Sequence, residues 1–328
     1  MSKKTIVGMA SSYKGLVQGD WLWKQTPEPM GVWKNVQILA RQENPDFLLL
    51  YNLNTFPQDM PFTLPWHKAW RRSEQKALQI RKDLDTATRS RLSQVPRDRT
   101  IFLWREPPLE EVVARHKSLY QDAQKYCGHV SGPDDFAPIS DYMPAIWYHG
   151  DSFRELNDMP PPPKIRRCSW ITSGISRTAN HRKRLAFLKS LVESDLELDV
   201  FGRGLPDWAK GYGQVNNKAH ALNSYYYNLA IENYAENDWY VSEKLWDSLL
   251  GWCLPIYYGS SAADKLLPPG SFLRLPSQDE KGLAYIKEVT ATLDAWHEAK
   301  DAIAEARQII LHKLNLLEWL SQFVAEHS

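Results

Sequence analysis

Between Tyr225 and Leu275 the chain strings together an apolar run, a carboxylate-bearing loop, a charged helix start and two further strand-length runs. The first run, Tyr225 to Ile231, is followed by Glu232-Asn233. The segment Tyr240 to Asp247 then leads into Leu254 to Gly259 and Pro269 to Leu275. Strands separated by helix-length segments cannot close as tight hairpins. They pair in parallel through crossovers, and open parallel sheets bind ligands at the carboxyl ends of their strands.

The same alternation recurs elsewhere. Thr5 to Ala10, Asp46 to Tyr51, Thr100 to Trp104 and Gly128 to Gly132 read as strands. Val36 to Glu43, with mixed helical spacing, Ser73 to Ser93 and Leu109 to Tyr126 read as helices. Met159-Pro160-Pro161-Pro162-Pro163-Lys164 must be extended, because proline lacks an N–H and fixes its own φ. Beyond it, Ser169 to Ser173 and Leu196 to Phe201 read as strands around an Ala179 to Glu193 helix. A chain of 328 residues exceeds what one core usually supports. The expected architecture is therefore α/β with two Rossmann-like domains: residues 1–158, a 159–164 linker, 165–290, and C-terminal helices over 291–328. The stripe Leu311, Leu314, Leu317, Leu320 and Val324 suits packing across both domains. Docking on a membrane surface is the other use of such a stripe, but its polar face carries both signs of charge.

Forty basic and 39 acidic residues, mixed along the length, leave a net charge of +1, which argues against nucleic-acid binding. Three scattered cysteines, Cys127, Cys168 and Cys253, support neither a disulfide framework nor a zinc site and fit a reducing compartment. The N-terminal apolar run is too short for a signal sequence, and no run approaches a membrane span, so a cytoplasmic protein is expected. Asp83-Leu84-Asp85 matches a metal-binding Asp-x-Asp pattern, but within a helix these two carboxylates point apart, so no metal site is expected.

Several residues stand out on physical grounds. On a wheel over His181 to Glu193, started by Asn180 as the expected N-cap, Arg184 falls within the stripe of Leu185, Phe187, Leu188, Leu191 and Val192. A guanidinium there needs an anion, either an internal carboxylate or a bound phosphate favoured by the helix start. Ser242 can cap the helix that begins at Glu243, where Lys244 is misplaced against the dipole unless an anion binds; an exposed surface lysine is the alternative. Glu232-Asn233 sits at a strand's carboxyl end, as a ligand-facing pair or an ordinary turn. Glu106 ends the Thr100 to Trp104 strand before two prolines, as a general base or a surface glutamate.

Ile231-Glu232-Asn233, Tyr240-Val241-Ser242-Glu243-Lys244-Leu245, Leu254-Pro255 before Gly259, Pro268-Pro269-Gly270-Ser271-Phe272 and Asp199-Val200-Phe201-Gly202-Arg203 together resemble the α-1,3/4-fucosyltransferases, glycosyltransferase family ten, over roughly residues 168 to 290. The resemblance implies a GT-B architecture, two Rossmann-like domains facing each other across a cleft. It implies inverting transfer of fucose from GDP-β-L-fucose to a glycan hydroxyl, with no required cofactor or metal. By it, Arg184, Asn233, Tyr240 and Lys244 would hold the diphosphate region and Glu243 the ribose, Glu232 and Gly202 would join the donor site, and Glu106 would be the base. Ile231 and Ser242 replace the family's usual Phe and Thr, and the segment between Asn233 and Glu243 is about one residue longer. The alternatives are another GDP-sugar donor or a glycan-binding relative without catalysis.

Overall fold

In the computed structural model, residues 3–13, 20–57, 75–76, 86 and 88–328 are described. The first sheet contains β1 (Thr5–Ala10), β2 (Val32–Trp33), β3 (Val36–Ile38), β4 (Phe47–Tyr51), β5 (Thr100–Leu103), β6 (His129–Gly132) and β7 (Ile139–Ser140), in the order β2-β3-β1-β4-β5-β6-β7. All its pairs are parallel except the β2–β3 edge. Helices α1 (Asp20–Trp23), α2 (Val113–Tyr126) and α3 (Phe153–Asp158) accompany it.

The second sheet is wholly parallel, in the order β12-β11-β10-β8-β9, from β8 (Arg166–Ile171), β9 (Leu198–Phe201), β10 (Tyr225–Ile231), β11 (Leu254–Tyr258) and β12 (Leu273–Arg274). Its helices are α4 (Ala179–Val192), α5 (Glu243–Leu250), α6 (Ala262–Leu266) and α7 (Glu280–Thr290). The central strand β10 is buried at nearly every position, its neighbour β11 is an apolar run, and the middle of β8, Cys168 to Trp170, is buried, as a sheet covered on both faces requires. The molecule is thus two Rossmann-like α/β domains, the GT-B arrangement.

Val36 to Glu43 corrects the helical expectation. Val36, Ile38 and Ala40 are buried at alternate positions, a period of two, and Val36–Ile38 pairs with β1 on one side and β2 on the other. The expected Ser73 to Ser93 helix lies largely outside the described residues, although residues 88–94 are helical. Asp83-Leu84-Asp85 lies wholly outside them.

After α7, helix α8 (Asp294–His312) runs along α5 and β11 and touches α3. The chain then returns to the first sheet. Ala145 N–H donates to Leu314 O at 2.6 Å, Leu316 N–H to Ala145 O at 3.0 Å, and α9 (Leu316–His327) lies against β2 and β3. Leu311, Leu317, Leu320 and Val324 are fully buried. Trp33 Nε1 donates to Glu318 at 2.7 Å, tying helix to sheet. Arg307 of α8 is buried, its guanidinium 4.6 Å from the Trp252 ring, and donates to the carbonyls of Leu250 and Leu156. Those carbonyls belong to the last turns of α5 and α3, where helices leave acceptors unmatched. The proline run between them, 159–164, has no regular structure.

Candidate active site

The carboxyl ends of both sheets open onto one cleft of about 790 Å³. From the first domain, Tyr13 follows β1 and Arg105-Glu106 follow β5. From the second, Arg203 follows β9, Asn233 follows β10, and Tyr240, Glu243 and Lys244 lie before and at the start of α5. Glu106, Asn233, Tyr240, Glu243 and Lys244 therefore meet in one cavity, as a crossover topology allows without long loops.

Arg184 is 4% exposed and projects from the first turns of α4. Among the described residues no carboxylate pairs with it. Its guanidinium donates to Asn233 Oδ1, to Ser173 O at 2.9 Å and to Ser173 Oγ at 3.3 Å, while its buried Nε has no partner. Burial pulls its pKa down to about 10. A buried cation bound only by neutral acceptors retains an unmatched charge, and Arg184 lies directly behind the cleft-lining Asn233.

Lys244 is different, because it already has an anion. Its Nζ sits 2.9 Å from Glu232 Oε2, and the same carboxylate accepts from Ser242 N at 2.8 Å and Ser242 Oγ at 2.7 Å. Burial works against the Lys244 charge, but Glu232 and Glu243 outweigh it and hold its pKa above the ordinary lysine value. Glu232 is 1% exposed and does not line the cleft. It fastens the α5 start instead, with Ser242 as N-cap accepting from Lys244 N. The positive charge of Arg184 opposes the protonation of Lys244, the smallest of these influences.

Glu243 faces the first domain. Its Oε2 lies 2.9 Å from Arg105 Nη2, and Lys218 Nζ is 3.9 Å from Oε1. Burial would raise its pKa, but Lys244, Lys218 and Arg105 together hold the carboxyl well below its usual range. Arg105 in turn lies 5.9 Å from the centres of both the Tyr51 and Tyr148 rings. Lys218 pairs with the buried Asp247 at 2.5 Å. Glu106 Oε1 accepts from the Tyr13 hydroxyl and from Asn52 Nδ2 at 3.1 Å.

One local expectation, the cap of α4, is corrected. The N-cap of α4 is Thr178, in extended backbone and accepting from His181 N, whereas Asn180 lies inside the helix and donates to Asn233 O at 2.9 Å. The Ala179 amide at this helix start is taken by Glu111 Oε1 of the first domain at 3.0 Å, and that hydrogen bond lowers the pKa of Glu111. Gly202 lines a neighbouring cavity of about 400 Å³ with Arg203 and Gln214, not the main cleft. At φ +148 a Cβ there would stand 1.5 Å from Thr172 O, so the glycine is required by close backbone approach.

Arg105, Lys218, Tyr13 and Asn52 were not singled out from sequence. Arg105 had a signal, as the neighbour of Glu106 at a strand end. The others reach the site only through folding. Among the described residues no group of three His, Cys, Asp or Glu could hold a metal ion, and no helix is long and apolar enough to cross a membrane. Cys127, Cys168 and Cys253 are free and buried.

Residues 162–298 match the family model described as glycosyltransferase family 10 (fucosyltransferase) C-term. No curated protein sequence matches the chain. Among solved structures, an alpha1,3-fucosyltransferase with GDP-fucose is 15% identical, covers 100% of this chain and 91% of its own, and superposes with a TM-score of 0.44. A DNA modifying enzyme, beta-glucosyltransferase, is 12% identical, with 100% coverage of both chains and a TM-score of 0.49. A spinosyn rhamnosyltransferase is 10% identical, with 98% and 99% coverage and a TM-score of 0.44. Over residues 162–298 the chain thus carries a domain that matches glycosyltransferase family 10, the fucosyltransferases.

Proposed function

We propose that the protein transfers L-fucose from GDP-β-L-fucose to a hydroxyl of a glycan acceptor, in α-1,3 or α-1,4 linkage and with inversion at the anomeric carbon. The observation that carries this reading is that one cleft brings together a first-domain carboxylate, Glu106, with Lys244 and the Arg184-bound Asn233 of the domain that matches family 10. In the reaction the acceptor O–H attacks the anomeric carbon, Glu106 takes its proton, and the bond to the diphosphate breaks with GDP leaving. Arg184 and Lys244 stabilise the charge that develops on the diphosphate, Asn233 and Tyr240 line its path, and Glu243 receives the ribose hydroxyls. The acceptor enters from the first-domain side, past Tyr13 and Glu106.

The test is GDP release from GDP-fucose with a panel of lactose-type acceptors. Glu106→Gln should slow turnover by about 10²- to 10⁴-fold while leaving GDP affinity unchanged. Undiminished turnover in that variant removes Glu106 from the mechanism. Thermal stabilisation by GDP-fucose measured against other GDP- and UDP-sugars identifies the donor, since a ligand at about 100 times its Kd stabilises by about 2.7 kcal/mol.

A further inference from the structure

Asn52 is hydrogen-bonded to Glu106. It follows β4 with φ +51, a left-handed backbone that asparagine tolerates far better than branched or bulky residues, and it is 5% exposed. Its own N–H donates to Leu103 O at 2.8 Å, locking it to the end of the neighbouring strand β5. Both ends of its side chain are then used on the next loop. Asn52 Oδ1 accepts from the Arg105 backbone N–H at 3.2 Å, and Asn52 Nδ2 donates to Glu106 Oε1 at 3.1 Å.

The Tyr13 hydroxyl donates to that same Oε1. Two donors therefore converge on one oxygen of the carboxylate, and among the described residues no group donates to Oε2. A carboxylate held in this way cannot turn freely, and it keeps one oxygen available to receive a proton. Building Asn52 into a left-handed turn is what lets a single amide reach both Arg105 and Glu106. Arg105 is also the residue whose guanidinium reaches Glu243 in the donor domain.

We infer that Asn52 is a positioning residue for the proposed transfer: it orients Glu106 so that Oε2 faces the acceptor hydroxyl, and it acts on the reaction only through Glu106. This rests on the reading of Glu106 as the base. Misplacing a reacting group by about 1 Å can cost on the order of 10²-fold, so Asn52→Gly should lower kcat by about 10- to 100-fold. Glycine accepts the same φ without strain, so the loop should keep its course. The KM for GDP-fucose and the Kd for GDP should stay within about twofold of the parent values.

The decisive comparison is a double-mutant cycle with Glu106→Gln, reading kcat and KM for both substrates and GDP binding by calorimetry. Asn52→Gly should slow the parent enzyme but change the Glu106→Gln enzyme by less than about twofold. Equal slowing in both backgrounds would overturn the inference, because a merely structural role is indifferent to Glu106. Full activity in Asn52→Gly alongside a crippled Glu106→Gln overturns it as well and leaves the base standing. A fully active Glu106→Gln, or a parent enzyme without turnover, removes the functional reading, and Asn52's role with it.

Discussion

Replacing Arg184 with methionine separates the cost of this side chain from its use. In the free protein the guanidinium is buried without a carboxylate, and the fall of its pKa from 12.5 to about 10 corresponds to about 3 kcal/mol of disfavoured charge. Set against this are its hydrogen bonds to Asn233 Oδ1 and Ser173, each worth about 1.5 to 3 kcal/mol when the donor is charged. Together they offset that cost and at most exceed it by about 3 kcal/mol, and methionine fills a similar volume. Arg184→Met should therefore change unfolding free energy in urea by no more than about 3 kcal/mol. Its effect on the ligand should be one-sided. Loss of a charge-assisted contact of about 1.5 to 3 kcal/mol predicts a rise of about 10- to 150-fold in the Kd for GDP by titration calorimetry. A variant that loses more than about 3 kcal/mol of stability yet binds GDP as tightly as the parent would overturn this account of Arg184. The arginine would then be a structural clamp between Ser173 and Asn233.

Other perturbations follow from the same structure. Burial, with His327 nearby, lowers the His129 pKa from 6.5 to about 4, and its ring packs against Trp319 and Phe323 of α9. Because the unfolded chain then binds the extra proton first, stability is flat above about pH 7.5 and falls as pH drops through 6.5 toward 4. A loss of about 1 to 2 kcal/mol between about pH 7.5 and about pH 5 is expected in urea denaturation of the parent, and it should be absent from His129→Phe if this imidazole is responsible. Gly202→Ala places a methyl against Thr172 O at a φ that L residues avoid, and should cost about 2 to 4 kcal/mol in chemical denaturation; a parent-like midpoint would contradict the geometry. Leu317→Ala empties a fully buried position where α9 meets the first sheet and should cost about 2 to 5 kcal/mol, whereas a cost below about 1 kcal/mol would mean that the helix is not docked as described.

The second domain was the more legible half. Its apolar runs are long, its strand and helix periods are distinct, and Ser242 and Glu232-Asn233 stand at element ends where local rules apply. The buried face of α4 could be drawn on a wheel, and Arg184 lies on it in the structure. The first domain misled at Val36 to Ile38, because so short a strand gives a period of two no room to declare itself against mixed spacing. At Thr178 the cap was missed because several residues at the helix start were able to cap, and only the backbone shows which of them is extended.

Chain-local physics, the periodicity of apolar residues and the stiffness of proline, already determined the alternating α/β elements and put a cation on a buried face. Which charges meet depends on how the chain folds. Lys244 is matched by Glu232 within its own domain, whereas Arg105 reaches Glu243 over 138 positions and Asn52 reaches Glu106 over 54. Such contacts depend on strand order and on the apposition of two sheet edges. A carboxylate's partner is set by the distance in space that remains once the cores have packed, and the spacing of residues along the chain does not encode it.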